Sequence, residues 1–521
     1  MEINYKLRNG IFLSICVLLI FNNIPKIIAP NFLGGEVLGD KLVFYPMFIG
    51  MIYTIYYQYN IGVYFQTVGR FLGIYIIVVF VSMLLGLYNY PYYNIILQGP
   101  SNQIEKLPFI ISFFSNIKIH INEQWLIGVW IVARAIKNLL IECIWTFGGA
   151  YMIFCWYYQD WQVAFQYIKK AVVCSISLLL VYCFIEVPAL ANQDWATHIL
   201  VTINPFLHTI KNNGAWWPPL LWTGQQLRSV FAEPSYFGIY AAFAMPWLWE
   251  YSFNETCTRR TVLLYVIITA FSFCLFLTKA RTALALFCGE CVLLCLAVAW
   301  LRYKKYFYRL LILAGCIGIA FGGAIIFLSV NNQSNNNNNN NTGQNDVQAY
   351  MSDNLGSLAS ENKRSNQARY TTMKTNLRIG LDHPLLGVGT SLRNAYFSDY
   401  LPEDGRYNDE IQIWLIKQRE LGILKFPIPG LSEYTKRFAE TGIIGLLAYL
   451  LVPLVLLRKL LLIIVKNRND YDTVSPYVFY TISLVGILTS GIGDSITITY
   501  CYWVLLGLGY AMCYGKRNGE A

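Results

Sequence analysis

The sequence predicts an all-α integral membrane protein with about twelve transmembrane helices and one large extracytoplasmic loop that contains amphipathic helices. Three observations lead to this fold class. Of the 521 residues, 56% are hydrophobic and 13% are charged, which is too little charge for a soluble surface. Apolar runs close to the length of a membrane span recur along the chain. Short segments connect these runs, and every second connecting segment is basic.

Each apolar run is interpreted as a helix that crosses about 30 Å of hydrocarbon, for which about 20 residues are needed. Aromatic residues make up 16% of the chain, and many stand at the ends of these runs, as in an interfacial belt. The fourth run belongs to one long apolar stretch, 125–157, that is interrupted by Arg134 and Lys137, so an interfacial helix that leads into the span is an alternative there. The predicted spans are 10–29, 42–59, 71–89, 136–157, 171–189, 236–252, 262–278, 282–301, 310–329, 441–457, 476–493 and 495–514.

Basic residues in the connecting segments predict the orientation. With the N-terminus inside, every predicted cytoplasmic segment is basic, as the positive-inside rule requires, and both chain ends are cytoplasmic. The net charge of +10 therefore reports topology and does not indicate binding to nucleic acid. The residues concerned are Lys6, Arg8, Arg70, Lys169, Lys170, Arg259, Arg260, Arg302, Lys304, Lys305, Arg309, Arg458, Lys459, Lys466, Arg468, Lys516 and Arg517.

The chain is expected to have three parts. Residues 1–329 hold nine predicted spans, with outer loops near 90–124 and 190–235. Residues 330–440 form the large outer loop, and residues 441–521 hold the last three spans and a cytoplasmic tail. The predicted cytoplasmic connections are short and contain no phosphate-binding loop motif, so nucleotide-driven chemistry is not expected. All cysteines except Cys257 fall in predicted spans, so no disulfide framework is expected.

The large outer loop is expected to be partly ordered. It opens with an Asn-rich stretch, 331–349, whose composition cannot bury enough apolar surface to fold, so a disordered tether is predicted. An amphipathic helix follows and ends at His383-Pro384, and a second is predicted from about Glu410 to Leu424. Both are expected to lie on the membrane or on the outer ends of the spans. The apolar residues of the first helix are Tyr370, Met373, Leu377 and Leu381.

Four local patterns point to one family. They are Arg228–Gly238 around Glu233-Pro234-Ser235, the short outer turn Thr278-Lys279-Ala280-Arg281-Thr282-Ala283, the stretch from Arg369 to Pro384-Leu385-Leu386-Gly387-Val388-Gly389, and Glu440-Thr441-Gly442 at the start of a span. In this order, on a frame of twelve spans with one large outer loop, the set resembles the O-antigen polymerase and O-antigen ligase superfamily. It resembles the Wzy-type polysaccharide polymerases in particular. The motif matches cover mainly 228–447, and none is specific by itself.

The resemblance implies a GT-C-like glycosyltransferase in a bacterial cytoplasmic (inner) membrane. Such an enzyme polymerises undecaprenyl-pyrophosphate-linked oligosaccharide repeat units into O-antigen, capsule or exopolysaccharide on the outer face of that membrane. A hydroxyl of the acceptor sugar attacks the anomeric carbon of the lipid-linked donor, and the lipid pyrophosphate leaves. The resemblance implies no cofactor and no metal ion. Membrane lipid surrounds the protein, and control of chain length by a separate regulator stays open.

The departing pyrophosphate needs fixed cations, and Arg is suited because its guanidinium binds two phosphate oxygens and keeps its proton. The candidates are Arg228, Lys279, Arg281, Arg369 and Arg378. Lys279 and Arg281 stand in an outer turn, against the positive-inside trend, although snorkelling or an interhelical ion pair is the structural alternative. For Arg228 the alternative is a salt bridge to Glu233. Arg378 lies about 180° around a helix from Arg369, so we favour Arg369 of the two.

The attacking hydroxyl needs a base, and Glu233 is the first candidate. It precedes Pro234 at the mouth of a span, where a carboxylate is costly unless it is used or paired, although helix N-termini also favour carboxylates. His383 is the second candidate, and a capping or surface role is its more common alternative. Glu440 is equally well explained as a helix N-terminal charge.

Two other functions stay open. Ligases of this superfamily usually carry a His upstream of the Glu-x-Gly segment, whereas the residue nine positions before Glu440 is Leu431, with Ser432 after it. This difference favours the polymerase over a ligase that passes the finished chain to lipid A core. A flippase or exporter of lipid-linked sugars would be expected to have two related halves, and the sequence has no visible internal repeat.

Overall fold

The computed structural model describes residues 4–30, 33, 39–57, 66–104, 107–118, 122–210, 216–222, 224–335, 364–497 and 499–515. Helices dominate these residues, and one antiparallel pair of two-residue strands joins Thr209–Ile210 to Trp216–Trp217. The first helices are α1 (Tyr5–Val17), α2 (Phe44–Tyr56), α3 (Gln66–Tyr88), α4 (Tyr93–Gln98), α5 (Leu107–Asn116), α6 (Glu123–Cys143), α7 (Gly149–Tyr157), α8 (Trp161–Leu190) and α9 (Asp194–Leu207). They are followed by α10 (Pro234–Asn254), α11 (Thr258–Leu277), α12 (Arg281–Leu301), α13 (Lys304–Asn335), α14 (Arg364–Asp382), α15 (Arg393–Tyr396), α16 (Asp409–Leu421), α17 (Glu433–Lys466), α18 (Tyr471–Ser490) and α19 (Cys501–Tyr514).

Seven helices of the described chain are long and apolar enough to cross a membrane. They are α8, α11, α12, α13, α17, α18 and the segment Gly69–Tyr88 of α3. Two further apolar helices, α2 and α19, have 13 and 14 residues, which is short for a span. The all-α membrane class is therefore supported, and the number of twelve spans stays a prediction.

Helix α10 is one of the most enclosed helices of the described chain, although it is not among the most hydropathic. Nearly all of its residues are buried, among them Trp247 and Trp249, and it packs against α8, α11, α12 and α18. A helix that is surrounded by other helices does not need an apolar surface for lipid. Its sequence can therefore combine Tyr, Trp and Pro with small residues that fit between its neighbours. The main core forms around this helix.

Several boundaries differ from the predicted spans. The predicted fourth span is the second half of a longer helical stretch in which α6 continues through a π-helical turn, Ile144–Gly148, into α7. Helix α13 extends beyond the predicted span at both ends and includes 331–335, the beginning of the predicted tether. The rest of the predicted tether lies outside the described residues.

The helix predicted after the tether is α14, and its packed face differs from its apolar stripe. Leu377 and Leu381 are exposed by 41% and 67%, because small and polar side chains face the neighbouring elements instead. The buried residues of α14 are Ala368, Thr371, Thr372, Thr375, Asn376, Ile379 and Gly380. They allow α14 to lie close against α17 and against the turn at Gly405. The second predicted loop helix corresponds to α16, whose buried residues include Ile411 and Leu415.

Candidate active site

Two of the sequence motifs form a clasp that fixes the entry to α17. The backbone N–H groups of Val388 and Gly389 donate to the carbonyls of Ala439 and Glu440 at 3.0 and 2.9 Å. In return, the N–H of Ile443 donates to the carbonyl of Pro384 at 2.8 Å. The hydroxyl of Ser82 on α3 donates to the carbonyls of Leu386 and Glu440, at 2.5 and 2.8 Å. Ser82 therefore joins both segments of the clasp to the bundle.

The glycines of the clasp are required by space and by backbone conformation. Gly387 and Gly442 have φ angles of 66° and 63°, a region that residues with a Cβ rarely adopt. A Cβ on Gly387 would lie 2.4 Å from the carbonyl carbon of Glu440, and one on Gly442 would lie 2.3 Å from that of Leu385. Gly442 is also where α17 bends. These motif glycines therefore hold the loop to α17, and their identity is explained without a role in chemistry.

Three charged residues from distant parts of the chain converge at one end of the bundle. Helix α14 carries Arg369, whose Nη1 donates to the carbonyl of Gly493 and lies 3.6 Å from Oδ2 of Asp494. Both acceptors belong to the turn between α18 and α19, 124 or more residues further along the chain. Glu233, at the start of α10, is the third member. We call Glu233, Arg369 and Asp494 the Arg369 cluster.

The electrostatics of Glu233 place it in the field of the other two residues. Burial raises its pKa, the neighbouring Asp494 carboxylate raises it further, and the Arg369 guanidinium opposes both effects. The hydroxyl of Ser235 donates to Oε2 of Glu233 at 3.3 Å. Burial likewise raises the pKa of Asp494, again opposed by Arg369. The cluster therefore holds two carboxyl groups around one guanidinium, which favours a proton on one carboxyl or the approach of a further cationic or hydroxyl group.

The basic turn between α11 and α12 lies beside this cluster. A Cβ on Gly493 would lie 3.6 Å from Cγ2 of Thr282 and 3.9 Å from Nη1 of Arg369. Gly493 therefore lies next to both Thr282 and Arg369. Arg281, the residue before Thr282, begins α12 and is partly buried. Lys279 has a φ of 49°, and its ammonium donates to the carbonyl of Gly224 at 3.0 Å, while burial lowers its pKa. The structure thus brings the predicted cationic turn, Arg369 and Glu233 to one end of the bundle.

Arg228 is separated from solvent and serves the fold. Its side chain is fully buried, and its guanidinium donates to the carbonyls of Phe231 and Pro219 at 2.7 and 3.1 Å. It also lies 2.8 Å from Nε2 of His208, whose pKa is lowered to about 3 by burial and by this guanidinium. The alternative salt bridge from Arg228 to Glu233 is replaced by these contacts. We therefore do not include Arg228 among the residues of the candidate site.

His383 and Arg378 lie away from the Arg369 cluster. His383 follows α14 and is about 21 Å from Arg369 along the helix axis at 1.5 Å per residue. Its ring makes an edge contact with Tyr396 at 5.9 Å between centroids. Arg378 is exposed and, as the helical periodicity predicts, lies on the other side of α14 from Arg369. Neither residue is placed to share a small reacting group with Glu233.

A buried ion pair that the sequence patterns do not reveal supports the turn that carries Asp494. The N–H of Glu433 donates to the carbonyls of Gly491 and Asp494 at 2.9 and 3.2 Å, and its Oε2 accepts from the Ser495 hydroxyl at 2.6 Å. Its Oε1 accepts from Nε and Nη2 of Arg437, at 2.6 and 2.5 Å. The Arg437 guanidinium also lies over the ring of Tyr449, 4.0 Å from its centroid. Glu433 therefore fixes the position of the Asp494 turn.

Asp494 is the main residue that sequence reasoning missed. It is a lone carboxylate in the short connection between two predicted spans, where an unpaired charge is costly. The same criterion that identified Glu233 and Arg281 applies to it. Glu433 could be recognised as a helix N-terminal charge, but its contact with Ser495 depends on the three-dimensional fold.

Comparison with known proteins covers part of this site. Residues 264–416 match the family model of the Wzy_C domain, described as O-Antigen ligase. The matched segment includes α12, the Lys279–Arg281 turn and Arg369, and it does not reach Glu233 or Asp494. No curated protein matches the chain. The match over 264–416 supports the resemblance of this part of the chain to the O-antigen polymerase and ligase superfamily.

Proposed function

We propose that this protein polymerises undecaprenyl-pyrophosphate-linked oligosaccharide repeat units into O-antigen, capsule or exopolysaccharide. The observation that carries the proposal is the Arg369 cluster beside the Lys279–Arg281 turn, at the predicted outer end of the bundle. It combines cations suited to a pyrophosphate with a carboxylate suited to a hydroxyl proton. The superfamily assignment supports membrane chemistry on lipid-linked glycans and is compatible with polymerase and ligase alike.

In the proposed reaction, the acceptor hydroxyl oxygen forms a bond to the anomeric carbon of the donor. The bond from that carbon to the pyrophosphate oxygen breaks, and its electron pair leaves with the lipid pyrophosphate. Lys279, Arg281 and Arg369 stabilise the negative charge that develops on the leaving group. Glu233 takes the hydroxyl proton, and its raised pKa brings its basicity closer to what general base catalysis at neutral pH requires. Asp494 orients the guanidinium of Arg369.

The alternative function is ligation of the finished glycan to lipid A core or another acceptor. The description of the matched family, O-Antigen ligase, favours it. Leu431 and Ser432 favour the polymerase, because they occupy the place where ligases usually carry a His. Ser432 here caps α17 by accepting from the N–H of Thr435 at 3.5 Å. A flippase or exporter receives no specific support from the residues of the site.

The decisive test is an assay with purified protein and a synthetic lipid-linked repeat unit, in which product length is measured on a gel. We expect a ladder of extended products, and transfer to added lipid A core should be slow or undetectable. Whole-chain transfer to the core without extension of the repeat would instead assign the ligase. Absence of both reactions, with lipid-linked sugar moved across a vesicle membrane, would assign a transporter.

We further propose a multi-pass position in the bacterial cytoplasmic membrane with both termini in the cytoplasm. In a background without Cys257, which is exposed, Asn339→Cys should react with an impermeant thiol reagent in cells whose outer membrane, if present, is permeabilised. Phe307→Cys, 55% exposed at the N-terminal end of α13, should react only after the cytoplasmic membrane is opened. Labelling of Phe307→Cys in sealed cells would contradict this orientation.

A further inference from the structure

Glu290 is an acidic residue inside the helical bundle, away from both of its ends. It lies near the middle of α12 and is 1% exposed. Arg281, at the start of the same helix, is nine residues away, which is about 13 Å along the axis. Helices α10 and α18 pack against α12, and their own acidic residues, Glu250 and Asp472, lie near the helix ends. Within these three helices, Glu290 therefore has no charged neighbour at its own depth.

The two carboxyl oxygens of Glu290 have no hydrogen-bond partner among the described residues. A carboxylate without a counter-ion is very costly in an apolar interior, and the group avoids this cost when it keeps its proton. The protonated carboxyl group has one O–H donor, and a buried donor needs an acceptor. The surroundings of Glu290 should therefore offer an oxygen that is not already used.

An acceptor of this kind is present on α10. Pro246 lies inside α10, and proline has no N–H, so the carbonyl of Ala242 four residues earlier lacks its usual helical donor. Gly486 of α18 leaves a hollow beside this carbonyl. A Cβ on Gly486 would lie 2.1 Å from Oε1 of Glu290 and 3.3 Å from the carbonyl oxygen of Ala242. The carboxyl group and the carbonyl oxygen therefore border the same hollow.

We propose that Glu290 is a proton-binding site inside the bundle and that its O–H group donates to the carbonyl of Ala242. The bound proton supplies the hydrogen bond that Pro246 removes from α10, and it joins α12 to α10 beside α18. The neighbouring carbonyl of Phe243 is already served by α18, because it accepts from the hydroxyl of Ser483 at 2.9 Å. Polar side chains of two helices thus reach the backbone of α10 at this depth.

The three helices that meet at this proton site also support the candidate active site. Glu233 precedes α10, Arg281 begins α12, and Asp494 follows α18. Ala242 and Glu290 each lie nine residues further along their helices than Glu233 and Arg281, which is about 13 Å deeper in the bundle. The hydrogen bond from Glu290 therefore fixes the spacing of α10 and α12 below the site. Proton binding itself does not depend on the proposed polymerase reaction.

The first test is infrared spectroscopy of the full-length protein in lipid vesicles at neutral pH. The wild-type spectrum minus that of Glu290→Gln should contain the C=O stretching band of a protonated carboxyl group. Glu290→Met, which also removes the carboxyl group, repeats the measurement with an apolar side chain. Glu420→Gln removes an exposed carboxylate on α16 and is the matched control, whose difference spectrum should contain only bands of an ionised carboxylate. If the Glu290 variants give only carboxylate bands as well, Glu290 holds no proton and the proposal is overturned.

A second pair of variants tests the acceptor. Pro246→Ala supplies the missing N–H to the carbonyl of Ala242, so the O–H group of Glu290 has to share its acceptor. The C=O band of the protonated carboxyl group should then shift to higher wavenumber, because its hydrogen bond is weaker. Pro453→Ala makes the same change inside α17 and should leave the band in place. Equal shifts in the two variants, or no shift in either, would contradict the pairing of Glu290 with Ala242.

Discussion

Arg369 and Arg8 lie at opposite ends of the bundle, and each interacts with a carboxylate from another part of the chain. Arg8 on α1 is 3% exposed at its side chain, and its Nη2 lies 2.7 Å from Oδ2 of Asp160. Its other donors reach the carbonyl of Trp156 at 2.6 Å and Oδ1 of Asn9 at 3.1 Å. The guanidinium also lies 4.4 Å from the ring centroid of Tyr157. This cation therefore has a close carboxylate partner and is held from several sides.

The environment of Arg369 is different. Its side chain is 20% exposed, its Nη1 stands 3.6 Å from the Asp494 carboxylate, and Glu233 adds a second carboxyl group to its field. One cation is shared between two acids, and the contact with the nearer acid is longer than an ordinary hydrogen bond. The difference distinguishes an ion pair that holds helices together from a cluster whose guanidinium can still bind a ligand and whose Glu233 can still take a proton. An Arg–carboxylate contact alone therefore does not distinguish a structural ion pair from a functional cluster.

The largest effect is expected from Glu233→Gln, which keeps the size of the side chain and removes its basicity. The rate of repeat extension should fall by about 10²–10⁴, because a general base typically contributes that factor. The defect should persist at saturating donor, since it lies in the chemical step. Glu420→Gln, an exposed carboxylate on α16, is the matched control and should extend repeats at the native rate. Native activity of Glu233→Gln would reduce Glu233 to a helix-end charge.

Arg369→Lys should slow extension about tenfold to a hundredfold, because Lys keeps the charge and loses the planar donors that bind two phosphate oxygens. Arg378→Lys offers a comparison on the same helix, and it should have little effect because Arg378 is exposed on the other side. Rates of both variants are measured at equal amounts of folded protein. If the two variants lose activity equally, the leaving group is bound by the outer surface of α14, and the Arg369 cluster is not the site.

At the other end of the bundle, we expect a change in stability without a change in the rate of extension. Asp160→Asn removes the charged partner of Arg8 and should lower the free energy of unfolding by about 1.5–3 kcal/mol, the range for hydrogen bonds to charged groups. The lower half of that range is favoured, because Asp160 is 28% exposed and water can replace it in part. Activity per folded molecule should be unchanged. A loss of rate without a loss of stability would show that the two ends are coupled.

Local sequence patterns predicted the helical membrane class well, because long apolar runs and basic connections do not depend on distant contacts. Seven such helices are present in the described chain. The same patterns selected Glu233, Arg281 and Arg369, which the structure brings to one end of the bundle. They did not distinguish Arg228 from Arg369, because a buried structural Arg and a ligand-binding Arg have the same side chain. The difference lies in the carbonyls and in His208 around Arg228, which only the fold assembles.

The Pro384–Gly389 and Glu440–Gly442 motifs show the limit of motif reasoning from the other direction. The resemblance to the superfamily rests partly on them. In the structure they are the two sides of the clasp, with hydrogen bonds between their backbones and no space for a Cβ on Gly387 or Gly442. Asp494 shows the converse. It belongs to no motif, and its pairing with Arg369 spans more than a hundred residues of sequence.

The pH dependence of extension tests the electrostatics of the Arg369 cluster without removing Glu233. Glu233 acts as a base only when it is deprotonated, so the rate should fall as the pH falls through its pKa. Burial and Asp494 raise this pKa, so the acid limb should lie above the pH expected for an ordinary Glu, whose pKa is about 4.3. The two neighbours act with opposite signs, and their removal should therefore move the limb in opposite directions.

Asp494→Asn removes a negative neighbour that raises the pKa of Glu233, so the acid limb should shift to lower pH. Arg369→Gln removes a positive neighbour that lowers it, so the residual activity should show a limb at higher pH. The measurement is the profile of kcat/KM against pH, which reports the free enzyme, and the position of the limb is independent of how far each variant lowers the maximum rate. Shifts in the same direction, or none, would mean that the titrating group is not Glu233, because Asp494 and Arg369 act on the pKa of Glu233 with opposite signs.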